Sequence, residues 1–245
     1  MAEQKIVTDA LAKAGRNVRS RVREAVFDIL DLVWRERSDK FAFADNPEVD
    51  ARVNKILRQL SDGFLEDARN EARNLLKSLE YDDWEDESLE YAEREIDGET
   101  MLFRFDMHAS HLKELLECWV AVAAVYGLSK WQLWTSLNTY LANPMASELW
   151  RGAGFGALKW GKGYDRNIVE AIQRLIRDYM ERAYQFATLL DYAEQGAIGY
   201  TIHRGSFYDC PLCDSYLDKV YPIDTIILPL HPNCCCYTEP VFANE

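Results

Sequence analysis

Five of the six cysteines are concentrated near the C-terminus, and their spacing is typical of a metal site. Two groups of donors stand out, Cys210-Pro-Leu-Cys213 and His231-Pro-Asn-Cys234-Cys-Cys236. A C-x-x-C turn directs both thiols at one ion, and the second group can supply the opposite side of a tetrahedron. Thiolate and imidazole ligands favour zinc first and iron second. The predicted metal ligands are Cys210, Cys213, His231, Cys234 and Cys236.

These five donors exceed the four places of a tetrahedral zinc site. We expect the two cysteines of the C-x-x-C turn to fill two coordination positions of the ion. Two of the three donors in the second group then fill the remaining two positions. Cys235 stands between two candidate ligands. If this segment is extended, we expect Cys235 to point away from the ion, because successive side chains of a strand alternate.

The donor pattern predicts a closed, structural site rather than a catalytic one. The sequence has no H-E-x-x-H, and no H-x-E paired with P-C-x-x-C, patterns in which a base stands beside an open zinc position. Residues 197–245 also contain too few large apolar side chains to hold a packed unit alone. A structural zinc can supply on the order of 10 kcal/mol of folding free energy to such a segment. We therefore expect no enzymatic activity.

The composition is that of a globular chain with an acidic surface. The 245 residues are 48% hydrophobic and carry a formal net charge of −13. No apolar run approaches the roughly 18–20 residues of a membrane span, and the N-terminus lacks a signal-peptide pattern, so we expect a soluble protein made in the cytosol. The low pI argues against general nucleic-acid binding. The overall charge does not exclude binding of an anionic partner by a local basic cluster, which consists of Arg16, Arg19, Arg21 and Arg23.

Hydrophobic periodicity predicts long helices that position this C-terminal segment, and hence a mainly α fold built as a long-helix bundle. The predicted helices span 6–37, 47–79, 101–125, 129–141 and 165–195. Ser129 is the expected N-cap of the fourth helix, and Cys118 is expected to be a small buried hydrophobe in the third. The last helix needs a partner along its length, either the earlier helices or a second subunit.

Two segments interrupt the helical pattern. Residues 80–99 hold eleven acids against the single base Arg94, which predicts a solvated linker or an exposed short helix. A cation site or a docking strip for a basic partner is the alternative. Residues 151–163 hold five of the twelve glycines and are expected to form a loop. The G-x-x-x-x-G-K at 156–162 lacks the following Ser or Thr and the preceding strand of a nucleotide-binding loop, so we expect no nucleotide site.

Short β-like runs surround the cysteines, at 200–203, 219–221 and 237–242. They predict a small α+β module held together by zinc at the end of the helical chain. The sequence thus divides into four consecutive regions: a helical region 1–80, an acidic linker 81–100, a helical region 101–195 and a zinc module 196–245.

The module carries an ordered set of motifs that resembles a known family. In order these are C-x-x-C at 210–213, L-D-K-V-Y-P at 217–222 and H-P-N-C-x-C at 231–236. This string resembles the C-terminal module of the phage Mu F-like head morphogenesis proteins. The resemblance covers about 165–242 and is specific over 205–240. The family ending typically reads H-P-N-C-R-C, and Cys235 stands here at the Arg position.

The resemblance implies a minor capsid protein of a tailed phage or prophage, made in the host bacterial cytoplasm and carried inside the head of the virion. Its implied partners are the portal protein and other capsid or scaffold proteins, with contact to packaged DNA and self-association through the long helices. A zinc-dependent enzyme or host-directed effector is the alternative. A nucleic-acid-binding zinc module is a third candidate, but residues 203–245 have two bases against six acids, which disfavours it.

Overall fold

The computed structural model of the protein describes residues 2–95, 98–142, 167–205, 209–231 and 234–243. The helices are α1 (Ala2–Lys13), α2 (Val18–Val33), α3 (Pro47–Ser78), α4 (Glu85–Glu93), α5 (Met101–Val125), α6 (Lys130–Ala142), α7 (Ile168–Glu194) and the one-turn α8 (Pro211–Asp214). The strands are β1 (Gly199–His203), β2 (Val220–Pro222) and β3 (Tyr237–Val241). The predicted mainly α fold with a small β-containing C-terminal part is confirmed. The glycine-rich segment at 151–163 lies outside the described residues.

Residue contacts divide the chain into two compact units. The first unit contains Met1–Ala14, Glu66–Met101 and Arg174–Glu245, and the second contains Gly15–Leu65 and Leu102–Gln173. Helices α3 and α7 each contribute residues to both units. The units are therefore assembled from separated stretches of chain, whereas the four regions expected from the sequence are consecutive.

One predicted helix is two helices in the structure. The single helix expected over 6–37 is wrong, because a turn separates α1 from α2 at Gly15, where φ is +69°. A Cβ atom at this position would lie 2.9 Å from the Cγ atom of Gln173, so the turn also needs the absence of a side chain. Periodicity did not reveal the break, since Ala14 and Val18 on either side are both buried.

Helix α6 begins with the predicted cap. The backbone N–H of Gln132 donates to the Oγ atom of Ser129 at 3.2 Å, and the backbone N–H of Ser129 donates to the Oε1 atom of Gln132 at 2.8 Å. This reciprocal capping box satisfies two backbone donors that the first turn of a helix leaves unpaired. The prediction of Ser129 as the N-cap is therefore confirmed.

Cys118 is exposed, and the expectation that it is buried is wrong. The buried stripe of α5 in this region passes through Leu112, Leu116, Trp119 and Val120. Cys118 precedes Trp119 by one position, a rotation of about 100° around the helix, which moves it off the stripe. The apolar side of α5 is broad in the sequence, so only the packing decided which of its residues face inward.

The acidic segment contains a packed helix. In α4 the side chains of Leu89 and Ala92 are buried, at 7% and 1% exposure, so part of this charged segment belongs to the core of the first unit. The expected short helix is present, but it is not fully exposed. Its apolar residues are few, and the flanking carboxylates masked them in the sequence pattern.

Basic residues of α3 hold the acidic segment in place. Arg69, Arg73 and Lys77 follow one another at intervals of four, which places them along one side of the helix. Glu93 accepts two hydrogen bonds from the Arg69 guanidinium, at 2.6 and 2.8 Å. Glu85 pairs with Arg73 at 2.6 Å and with Lys77 at 3.6 Å. Two carboxylates of the segment are thus paired within the chain.

The three strands form one antiparallel sheet in the first unit, in the order β2-β1-β3. Tyr200 in the central strand lies opposite Tyr221 and Pro240. Tyr200 and Ile202 are fully buried, and they pack with Leu189 of α7 and with the cysteine segment. The three predicted β-runs are confirmed, and the sheet gives the cysteines a rigid support.

Candidate metal centre

The C-x-x-C segment is shaped by the one-turn helix α8. Cys210 is the residue before the helix, and Pro211 occupies its first turn, where the missing N–H of proline costs nothing. The backbone N–H of Asp214 donates to the carbonyl oxygen of Cys210 at 2.9 Å and closes the turn. The turn therefore brings the thiols of Cys210 and Cys213 to the same side.

The second group is shaped by a turn and a strand. The backbone N–H of Cys234 donates to the carbonyl oxygen of His231 at 3.0 Å, which brings the imidazole and the thiol close together. Cys236 directly precedes β3, which pairs with β1 along its length. The side chains of Cys234 and Cys236 are buried, at 2% and 6% exposure.

The folded chain brings the two groups together around Cys213. Its Sγ atom lies 3.1 Å from the Nε2 atom of His231 and 4.0 Å from the Sγ atom of Cys234. The Sγ atom of Cys210 lies 3.4 Å from the same imidazole nitrogen. In a tetrahedral zinc site, ligand bonds of about 2.3 Å to sulfur and 2.05 Å to nitrogen place S and N about 3.6 Å apart and two S atoms about 3.8 Å apart. The observed S···N separations of 3.1 and 3.4 Å are somewhat shorter than this ideal, and the observed S···S separation of 4.0 Å is slightly longer.

All five predicted ligands belong to sets that could hold a metal ion. The donor atoms of Cys210, Cys213 and His231 lie within 4.8 Å of one another, and so do those of Cys213, Cys234 and Cys236. Cys213 is the member common to both sets. In the part of the chain that the structure describes, the exposed Cys235 belongs to neither set. Which four donors bind together stays a prediction.

The thiols differ in how easily they lose a proton. Burial, reinforced by the neighbouring thiols, raises the pKa of Cys213 far above its usual range. Burial also raises the pKa of Cys236 to about 11. Hydrogen bonds from the backbone and side chain of Cys213 lower the pKa of Cys210. A metal ion must therefore displace protons from Cys213 and Cys236 when it binds them.

The surroundings of the cluster are mostly apolar. Leu189, Tyr200, Ile202 and Leu228 are buried against the cysteines, and Tyr216 and Tyr221 pack at the margin. The amide of Gln185 donates to the carbonyl oxygen of Cys236 at 3.5 Å. A dry surrounding strengthens metal–thiolate bonding and restricts access of solvent to the ion. This arrangement is typical of a site with a structural role.

Sequence reasoning missed Gly205, whose lack of a side chain the cysteine segment requires. A Cβ atom on Gly205 would lie 1.6 Å from the carbonyl oxygen of Cys235, so the two backbones pass too closely for any other residue. It also missed Glu181, a buried carboxyl group on α7 near the same segment. Nothing local marks either residue, because Glu181 lies two positions from Tyr179 and Ala183 and therefore on the side of the helix opposite the predicted apolar stripe.

Comparison of the chain with family models, with curated proteins and with solved structures finds no match. Among the described helices, none combines the length and the apolar character needed to cross a membrane. The cysteine cluster and the sequence motifs that build it are therefore the features of the chain that bear on its function.

Proposed function

We propose that the chain is a minor head protein of a tailed phage or prophage, located inside the capsid and associated with the portal. The observation that carries the proposal is that the three motifs of the resemblance serve one folded site. The C-x-x-C motif forms the α8 turn, V-Y-P forms β2, and a backbone hydrogen bond joins Cys234 to His231, the two ends of H-P-N-C. Because the three motifs fold into one site, they support the resemblance of the whole C-terminal module to that family more strongly than three isolated sequence matches would.

The metal of this module is zinc in a structural role. Thiols and one imidazole are the donors in both candidate sets, and no carboxylate belongs to them. Soft sulfur donors at these separations suit tetrahedral zinc better than hard cations. A closed ligand set leaves no coordination position for a substrate, which supports an assembly role over catalysis.

Contacts with the portal and other head proteins need exposed apolar surface. The turn between α5 and α6 presents Val125, Tyr126 and Trp131, with exposures of 65%, 63% and 70%. Large exposed side chains of this kind, close together in sequence, are typical of protein interaction sites. We also propose that the basic cluster, of which Arg19, Arg21 and Arg23 lie on α2, contacts packaged DNA.

A zinc-dependent enzyme or host-directed effector is the second candidate. It is favoured by a cavity that includes both Cys234 and the buried carboxyl group of Glu181, because a carboxylate near zinc can act as a base. It would need an open coordination position, which a thiol-rich set of four ligands does not provide.

Quantitative mass spectrometry of purified particles tests the proposal. We expect a few copies of the chain per particle, in heads that have been separated from tails and from free protein. The major capsid protein in the same sample provides the reference for copy number. Absence of the chain from intact heads, together with its presence in the lysate, would overturn the proposal and favour the effector.

A further inference from the structure

Helices α3 and α5 enclose a groove in the second unit, and none of the predicted metal ligands lines it. Its volume is about 550 Å³, within the range of pockets that hold small organic ligands. On α3 the lining includes Lys55 and Arg58, and on α5 it includes Asp106, Ala109 and Ser110. These spacings place the lining residues on one side of each helix. The groove therefore combines a small buried side chain, Ala109, with polar and charged residues.

The two helices are antiparallel along the groove. At one end the Nζ atom of Lys113 on α5 pairs with Asp50, in the first turn of α3. Nearer the other end, the rings of Phe64 on α3 and Phe105 on α5 lie with their centroids 5.9 Å apart. Residue numbers therefore rise along α3 as they fall along α5. Asp106, next to Phe105, accordingly lies towards the end of the groove opposite Lys113.

The cations of this groove differ in their partners within the protein. The ammonium of Lys113 pairs with Asp50, so its charge is neutralised within the chain. Lys55 and Arg58 are exposed, and among the described residues neither forms an ion pair or a hydrogen bond. Residues 51–61 of α3 contain three bases and no acid. A concave surface with two unpaired cations attracts anions, although the chain as a whole is acidic.

The donors and the acceptor of the groove indicate two parts of a ligand. Arg58 offers a planar fork of N–H donors that fits a phosphate, and Lys55 adds a point charge. Ser110 can donate from its hydroxyl group, which has no partner within the described part of the chain. The ionised carboxylate of Asp106 only accepts hydrogen bonds, so it favours hydroxyl groups and disfavours a second anionic group. Ser110 and Asp106 are four positions apart, about 6 Å along the helix, which a monosaccharide spans between its phosphate and its ring hydroxyl groups.

We propose that this groove binds a sugar phosphate, with the phosphate at Lys55, Arg58 and Ser110 and the ring hydroxyl groups at Asp106. Hydrogen bonds to the phosphate supply most of the affinity, because charge-assisted hydrogen bonds are about twice as strong as neutral ones. The hydroxyl groups at Asp106 select a sugar phosphate over inorganic phosphate. Asp106 also repels the further phosphates of a nucleic acid. The proposal does not depend on the role of the chain in a phage head.

The first test compares a sugar phosphate with its two halves on the intact, metal-loaded protein. We would titrate glucose 6-phosphate, glucose and inorganic phosphate separately, at constant ionic strength, and follow the methyl NMR signals of Ala51 and Ala109 in the groove. We expect glucose 6-phosphate to bind at least about tenfold more tightly than glucose and about threefold more tightly than inorganic phosphate. Equal affinity of glucose 6-phosphate and either half, or no response of these methyl groups, would overturn the proposal.

Variants locate the charges that matter. Lys55→Gln and Arg58→Gln should each weaken binding of glucose 6-phosphate at least about fivefold. Arg52→Gln removes an exposed base of the same helix that does not line the groove, so it should change the affinity less than about twofold. The melting temperature of each variant shows whether it is folded. Equal losses in all three folded variants would mean that only the general charge of α3 attracts the anion, and would contradict the assignment.

Asp106 tests the sugar part of the ligand. Asp106→Ala removes the acceptor of the ring hydroxyl groups, so glucose 6-phosphate and inorganic phosphate should then bind about equally. The ratio of the two affinities is the readout, because loss of a negative charge strengthens the binding of both anions. An unchanged ratio in a folded variant would reject the sugar phosphate. A short oligothymidylate is titrated as well, and tighter binding of it at the same methyl signals would assign the groove to nucleic acid and also reject the proposal.

Discussion

The imidazole of His231 and the thiol of Cys213 are in contact, with Nε2 and Sγ 3.1 Å apart. The two residues are 18 positions apart, and each is placed by its own local turn. Their contact joins the C-x-x-C segment to the H-P-N-C-x-C segment, and Cys213 then continues the cluster towards Cys234 at 4.0 Å. Cys213 is therefore the residue on which the geometry of the whole site depends.

The first prediction concerns metal content. Protein purified without chelators should contain about one zinc per chain, because a tetrahedral ion uses four of the five donors and leaves no complete second set. Elemental analysis by mass spectrometry measures this directly. A preparation with neither zinc nor iron would contradict the assignment of a metal site.

The two cysteines of the C-x-x-C segment should differ in importance. Cys213→Ser removes the donor shared by both sets, while Cys210→Ser leaves Cys213 with the imidazole and the two buried thiols. We expect the Cys213 variant to lose zinc affinity by at least about tenfold more than the Cys210 variant, since serine is a poor ligand for zinc. Competition with a chromophoric chelator measures both. Equal losses would mean that the two cysteines bind equivalently.

Cys235 and Cys236 should also respond differently to the same substitution. Cys235 is exposed and outside both sets, so Cys235→Arg should change the stability by no more than about 0.5 kcal/mol. Cys236→Arg removes a buried thiol and places a fixed positive charge beside the ion, so zinc should be lost. Zinc content and melting temperature of the two variants, measured side by side, check the asymmetry. Similar losses in both would place Cys235 among the ligands.

The ion pair between Arg69 and Glu93 should make the stability depend on pH. Hydrogen bonds from Arg69 and then Tyr179 lower the pKa of Glu93. A carboxyl group with a depressed pKa stabilises the folded state above its ordinary value near 4.5 and loses that contribution as the pH falls through the folded-state value. Glu93→Gln should therefore cost about 1–3 kcal/mol at neutral pH and markedly less near pH 3.

Urea unfolding at the two pH values measures this difference. Glu90→Gln is the matched control, because Glu90 is 76% exposed on the same helix and lies 3.7 Å from Arg94. An exposed pair of this kind contributes little, so the control should change the free energy of unfolding by less than about 0.5 kcal/mol. A Glu93→Gln effect that is the same at both pH values would contradict the electrostatic explanation.

Gly15 should tolerate substitution less well than Gly127. Both residues have positive φ, +69° and +61°, so alanine introduces backbone strain of about 1 kcal/mol at each. At Gly15 a Cβ atom would also lie 2.9 Å from Gln173, whereas at Gly127 no atom lies within 4 Å. We expect Gly15→Ala to be more destabilising by at least about 1 kcal/mol. Thermal unfolding of the two variants tests the difference, and equal losses would exclude a role for the close contact.

The sequence alone determined the local parts of this protein. The positions of the long helices followed from hydrophobic periodicity, and the Ser129 cap followed from one hydroxyl before an apolar run. The donor residues of the metal centre followed from thiol and imidazole spacing, since a C-x-x-C turn needs only its own residues to bring two sulfurs together. Each of these features depends on interactions between residues a few positions apart.

The tertiary structure decided the features that depend on which helix surfaces pack against each other. Periodicity continued through the turn at Gly15, which is required by the distant Gln173. Because the apolar side of α5 is broad, the sequence did not determine whether Cys118 is buried. In the structure Trp119 is buried and Cys118 is exposed. Acidic residues that were expected in solvent instead pair with the basic side of α3. Glu181 became a buried carboxyl group only because α1 and the cysteine segment close around it, and such long-range contacts leave no periodic trace in the sequence.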